Sequence, residues 1–258
     1  MTAPSVLRLT GIAFRYAPHG APALHDLSVS FPDAAVTTLL GPNGGGKTTL
    51  LHLLVGLLTP QAGTLEFAER QADTLTRPER GRLVGLVPQH EHIPFDISVL
   101  DYVLFGRAPH LGLLDLPGDS DEQAARAALA TVGITPLGQR PITTLSGGER
   151  QLAMIARALA QEPRILLLDE PTSHLDLAHR RAVHDVLRAL AQKGVAVIFS
   201  THDPNLAAAL ADHVVLLRQG SLLAAGAPKD VLTSDHLSAT YGIPVEVVTL
   251  EGRPVILS

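Results

Sequence analysis

The sequence predicts an α/β fold, a mainly parallel sheet covered by helices on both faces and interrupted by an inserted helical subdomain. Three observations carry this. Short, largely apolar runs read as buried strands: "VTTLL" (36–40), "RLVGLV" (82–87), "RILLLD" (164–169) and "VAVIF" (195–199), each too short for a helix and β-rich. Helical patterns alternate with them, as crossover connections between parallel strands require. From about Ile97 to Glu162 the alternation stops, and only helical patterns remain.

Each element has its own signal. Near the N-terminus, "SVLRLTGIAFRY" and "LHDLSVSF" alternate enough to read as strands. After "VTTLL" the chain runs through Gly-Pro-Asn-Gly-Gly-Gly into a helix expected from Lys47 to Leu58. In the inserted region, "SDEQAARAALATVG" predicts a helix with Ser120 and Gln123 as its capping box. "LSGGERQ" opens another, with Ser146 and Glu149 as a capping box and Leu152, Ile155, Ala156 and Leu159 on one buried face. That helix is expected to reach Ala160, about 21 Å on. "RRAVHDVLRALAQKG" supplies a further helix closed by Gly194, and "DHVVLLRQGSLLAAG" a hairpin turning at Gln219-Gly220. The tail beyond Pro228 is mixed.

Composition narrows the function classes. With 258 residues, 46% of them hydrophobic, the chain suits one large domain or a core with subdomains. Its longest apolar run, Leu50–Leu58, is half of the roughly 20 residues a membrane span needs. "MTAPSVLRLT" lacks the basic-then-apolar order of a secretory signal. No cysteine is present, so disulfide and thiolate chemistry are excluded and a reducing compartment is expected. A net charge of −5 argues against a nucleic-acid surface. The histidines are scattered. The closest pair, His90 and His92, reads as solvated loop residues, because a metal site needs three or four converging ligands.

Against that background, "GPNGGGKT" stands out: Gly41, Pro42, Asn43, Gly44, Gly45, Gly46, Lys47 and Thr48 satisfy the phosphate-loop pattern between an expected strand and an expected helix. Glycines let successive N–H groups turn inward around an anion, and the following helix adds its positive end. Lys47 would neutralise the β and γ phosphates and Thr48 would hold Mg²⁺, with Thr49 beside them. "ILLLDE" supplies a second Mg²⁺ anchor, Asp169, and a base, Glu170, to polarise the attacking water. Both carboxylates end an apolar strand, where ionised groups are costly without a cation. Gly147 and Gly148 occupy a helix's first turn at about 1 kcal/mol each relative to alanine. Such a tip would admit another molecule's phosphate to bare backbone, with Ser146 as hydroxyl donor.

Taken together, these motifs resemble the ATP-binding subunit of an ABC transporter over nearly the whole length and in the family's order, with "LSGGERQ" as its signature. The resemblance implies a P-loop NTPase (RecA-like) core at 33–60, 82–96 and 163–218. It also implies an antiparallel β subdomain at 1–32 and 61–81, a helical signature subdomain at 97–162, and a C-terminal hairpin and tail at 219–258. Tyr16 matches the aromatic that stacks on adenine. Gln89 matches the glutamine that senses Mg²⁺ and contacts the membrane partner. Asp176, in "SHLD", matches the loop that crosses the dimer, and His202 the histidine that contacts the γ-phosphate. Departures are Gly45 and Thr48 where serine is common, Glu149 where glutamine is common, and Ala35 where glycine often stands; none removes a required group.

"VLDYVLFGRAPHLGLL" and "GAPKDVLTSDHLSATYGIPVEVV" are further similar to importers of iron chelates, haem, cobalamin or molybdate, iron-siderophores first among them. In that group two ATP-binding subunits drive a polytopic permease from the cytoplasmic face of the inner membrane, fed by an extracytoplasmic binding protein. The implied cofactors are ATP and Mg²⁺, and the implied partner is a second copy of the chain. A soluble ABC ATPase of iron–sulfur cluster assembly is the rival expectation. Nucleic-acid-binding ABC proteins fit less well, because they need a coiled-coil insertion or two nucleotide sites.

Overall fold

The computed structural model describes residues 5–94, 96–112 and 114–257. The first four residues of the expected signal-free N-terminus, and Leu113 of the importer-like run, lie outside them. β1 (Ser5–Phe14) and β2 (Leu24–Pro32) pair antiparallel, alternation burying Leu27, Val29 and Phe31 of β2 on one face. β3 (Val36–Leu40) is buried at every position and delivers the glycine loop to α1 (Lys47–Val55). That helix stops short of the expected Leu58. Gly56 takes a left-handed φ of 86°, and its N–H caps the carbonyls of His52 and Leu53. β4 (Ala62–Phe67) returns to pair with β1, and β5 (Arg70–Gln71) pairs with β4. α2 (Arg77–Leu83), started by a Thr76–Glu79 capping box, claims Arg82 and Leu83, so β6 (Val84–Val87) is shorter than the run at 82–87 suggests.

The next stretch is helical. α3 (Val99–Leu104) tightens into a 3₁₀ turn at Phe105–His110, followed by α4 (Asp119–Thr131) and α5 (Gly147–Leu159). The Ser120–Gln123 box does not form. α4 is capped at Gly118, whose N–H donates to Asp121 Oδ2 at 3.0 Å, while Asp121 Oδ1 accepts from Arg107 at 2.9 Å. Arg107 is buried, and a buried guanidinium needs a paired carboxylate; that demand sets the helix start. α5 begins on the expected Ser146–Glu149 box.

The chain then returns to the sheet with β7 (Ile165–Leu168), α6 (Leu177–Gln192), β8 (Ala196–Thr201), α7 (Pro204–Leu210), β9 (His213–Arg218) and β10 (Ser221–Gly226). The last two turn at Gln219 and Gly220, φ 49° and 78°, the paired positive values of a tight hairpin. The tail folds as α8 (Pro228–Val231), α9 (Ser234–Tyr241) and a separate hairpin of β11 (Glu246–Leu250) with β12 (Arg253–Leu257).

One sheet runs β10-β9-β3-β8-β7-β6, parallel except for β9–β10; a second, antiparallel, runs β2-β1-β4-β5. Strand alternation divides the core. Leu166, Leu168, Val197 and Phe199 face the helices α3 to α6, whereas Ile165, Leu167, Ala196 and Ile198 face α1 and the antiparallel sheet. Each such buried leucine contributes about 1.5–3 kcal/mol. The carboxyl ends of β3, β8, β7 and β6 therefore lie side by side, the place where ligands bind in open α/β sheets. Gly41, His202, Asp169, Glu170 and Gln89 all lie just beyond those ends.

Candidate nucleotide site

The loop after β3 walls a cavity of about 410 Å³, whose lining includes Asn43 to Thr49, Tyr16, Gln89 and Glu170. Gly46 shows why this loop is glycine-built. Its φ is 98°, and a Cβ there would lie 2.8 Å from the Ala23 carbonyl oxygen. Gly46 also N-caps α1 without any side-chain hydrogen bond, so the first-turn N–H groups keep no side-chain acceptor. Gly41 and Pro42 lie behind: their carbonyls accept from Lys47 Nζ at 2.8 and 3.0 Å. Burial pulls the Lys47 pKa down, opposed by the charges of Glu170 and Asp169. Tyr16, 65% exposed, packs its ring edge-on against Phe14, and its hydroxyl lies 3.1 Å from Thr49 Oγ1.

At the neighbouring strand end, Thr48 Oγ1 donates to Asp169 Oδ2 at 2.8 Å. Asp169's other oxygen accepts from Ser200 Oγ, which in turn accepts the Glu170 N–H at 2.9 Å. Ser200 carries no motif of its own. Its only signal is a hydroxyl at the end of an apolar strand. Glu170 takes φ 45°, a left-handed value that costs a non-glycine residue about 1–3 kcal/mol. Its carboxylate sits between Gln89 Nε2, 3.3 Å from Oε2, and His202 Nδ1, 3.2 Å from Oε1. The Thr48 hydroxyl, the Asp169 carboxylate and the Gln89 amide oxygen are hard oxygen donors of the kind Mg²⁺ takes, and the first two already touch. A bound ion would offset the phosphate charge, and Glu170 is placed to take a proton from water.

The signature residues lie elsewhere. Neither Ser146 to Glu149 nor Asp176 lines the cavity. Ser146 Oγ accepts the Glu149 N–H at 3.3 Å, and Glu149 Oε2 accepts the Ser146 N–H at 2.8 Å. That hydrogen bond lowers the Glu149 pKa first, with Arg140 and His179 adding smaller charge effects. The two glycines differ. Around Gly147 a Cβ would meet nothing within 4 Å, whereas at Gly148 it would lie 2.0 Å from His179 Cδ2. At Gly148 the packed His179 ring is by itself a reason for glycine, whereas Gly147 has no such packing reason. Asp176 caps α6, accepting the His179 N–H at 2.8 Å, and holds His179 Nδ1 at 2.9 Å. Those hydrogen bonds lower its pKa.

Comparison with known proteins gives a consistent picture. The family model described as ABC transporter matches residues 24–173. The ferric enterobactin transport ATP-binding protein of Escherichia coli is 37% identical over 98% of this chain and 94% of its own. The hemin import ATP-binding protein of Gloeobacter violaceus is 38% identical over 94% and 90%. Among solved structures, a chain from an inward-facing ABC transporter assigned to the metal-chelate type superposes with a TM-score of 0.85, at 35% identity and 98% coverage of both chains. With the phosphate loop, the paired carboxylates and the signature helix in one fold, this chain belongs to the ABC transporter family as one of its ATP-binding ATPase subunits.

Proposed function

We propose that two copies of the chain close around two ATP molecules, each held by one copy's phosphate loop and the other copy's signature tip, and that this cycle powers a metal-chelate importer. The observation that carries the reading is the separation of the two glycine-led helix starts. The α1 start opens into the cavity, while the α5 start, with Gly147 bare, contributes nothing to it. Lys47 grips the β and γ phosphates, Tyr16 stacks on the adenine, and Thr48, Asp169 and Gln89 hold Mg²⁺. Glu170 takes the water proton and His202 contacts the γ-phosphate. ATP works through higher affinity for the closed pair, and hydrolysis releases it.

No helix among the described residues is long and apolar enough to cross a membrane. The work is delivered to a separate polytopic permease at the cytoplasmic face of the membrane. A shallow apolar groove formed by Leu104, Phe105, Leu111 and Pro117 offers that partner a surface on the importer-like run. Relatives named for ferric enterobactin and hemin favour an iron complex as cargo, iron-siderophore first and then haem, ahead of cobalamin or molybdate, with delivery by an extracytoplasmic binding protein. The soluble iron–sulfur alternative has no comparable support.

Glu170→Gln tests the proposal. The variant should bind ATP, hydrolyse it at least about hundredfold more slowly, and run as an ATP-dependent dimer on size exclusion. A variant that stays monomeric with ATP, alone and on its membrane complex, refutes the shared-site reading.

A further inference from the structure

His202 stands on a two-residue link between β8 and α7, and the sheet ladder ends at Thr201. Its peptide carbonyl therefore has no strand partner. The partner it finds is Tyr241, the last residue of α9, whose hydroxyl donates to His202 O at 2.9 Å. Just beyond, the Asn205 side chain makes two hydrogen bonds to the backbone of one β12 residue, Ile256. Its amide nitrogen donates to Ile256 O at 3.1 Å and its oxygen accepts the Ile256 N–H at 3.0 Å. The tail that supplies these contacts is one body. Ser238 Oγ and Ser234 Oγ accept the N–H groups of Val245 and Val247, tying α9 to β11, and β11 pairs with β12. Leu237, Val245 and Ile256 are buried with Leu40, Val214 and Leu216 of the main sheet, which anchors the tail to the strand that precedes the phosphate loop.

We propose that the C-terminal segment is a brace for the histidine loop, with Tyr241 as a positioning residue that fixes the 202–203 peptide and so the aim of the His202 imidazole at the γ-phosphate. This rests on the reading of His202 given above. Burial, with the charge of Asp203 adding to it, pushes the Tyr241 phenol up to about 12, so it remains a donor throughout the neutral range. A hairpin of two strands has little stability alone. Its two bonds to Asn205 and its buried Ile256 explain why it is held against α7.

Nucleotide affinity tests this without relying on turnover. In Glu170→Gln protein, Tyr241→Phe should weaken ATP binding about three- to tenfold, the scale of one lost hydrogen bond, and leave ADP binding unchanged, because ADP has no γ-phosphate. In protein that also carries His202→Ala, Tyr241→Phe should add nothing. Asn205→Ala, which removes both bonds to Ile256, should repeat the pattern if the phenylalanine variant folds poorly. Equal loss for ATP and ADP, unchanged ATP affinity, or the same loss with and without His202 overturns the brace. If His202→Ala alone spares ATP affinity, the reading of His202 fails instead.

Discussion

Two helix starts in this molecule are rich in glycine, and they are built in opposite ways. α1 begins at Gly46 with no side chain capping it, and Lys47 folds back onto the carbonyls of Gly41 and Pro42. α5 begins at Ser146 with a closed capping box in which hydroxyl and carboxylate satisfy each other's backbone N–H. The first tip is left needing an anion; the second is at rest without one. On the proposed shared site a single copy carries one receptive and one self-satisfied tip, and the Ser146 hydroxyl, which accepts from Glu149, can still donate its proton to a nucleotide presented by another molecule.

Removing the receptive tip's charge is the harshest way to test this contrast. Lys47→Ala should lower ATP turnover at least about hundredfold and abolish nucleotide binding by the monomer. Because desolvation of the buried Lys47 ammonium outweighs the attraction of Glu170 and Asp169, thermal denaturation should show no loss of stability. A variant that still binds ATP as the wild type does would show that the loop backbone alone suffices.

Within the self-satisfied tip, the two glycines should part company. Gly148→Ala should destabilise by about 1–3 kcal/mol, since the new methyl expels the His179 ring and breaks its contact with Asp176. In a His179→Ala background the same change should become neutral or favourable, alanine being the better helix former. Gly147→Ala should stabilise the monomer by up to about 1 kcal/mol, yet lower ATPase activity, because its methyl stands on the open face. Melting curves and turnover on the same samples separate the two. Turnover untouched by Gly147→Ala would leave the open face without a role.

What the sequence made legible follows the same line between local and distant. Gly41 to Thr48, Asp169 with Glu170, and Ser146 with Glu149 are read within a few residues, because each motif carries its own geometry. Ser200 was not assigned, since its partner Asp169 lies 31 positions away. Tyr241 and Asn205 were not, because they act 39 and 51 positions away. His179 on Gly148 was not, because a ring packed on a helix start leaves no periodic trace. The start of α4 was misjudged for a kindred reason: Asp121 answers Arg107, a residue on another element. The parallel sheet was legible from its apolar runs. The tail was not, its folding depending on strands β3 and β9 that it covers.

The gentlest test concerns the carboxylate that closes the resting tip. Glu149 is held below its ordinary value of 4.5, first by the Ser146 N–H. A lowered folded pKa means that the ionised form stabilises the fold. Its contribution is complete above about 4.5 and is lost as pH falls through the lower folded value. Glutamine can still cap the helix but carries no charge to meet the helix's positive end. Glu149→Gln should therefore lower the melting temperature by about 1–3 °C near neutral pH. That difference should stay level from pH 7 to pH 5 and shrink below 4.5 as the wild-type carboxyl protonates. A difference that widens in acid would mean that the Glu149 charge opposes folding. The resting state of this tip would then owe nothing to the ionised cap.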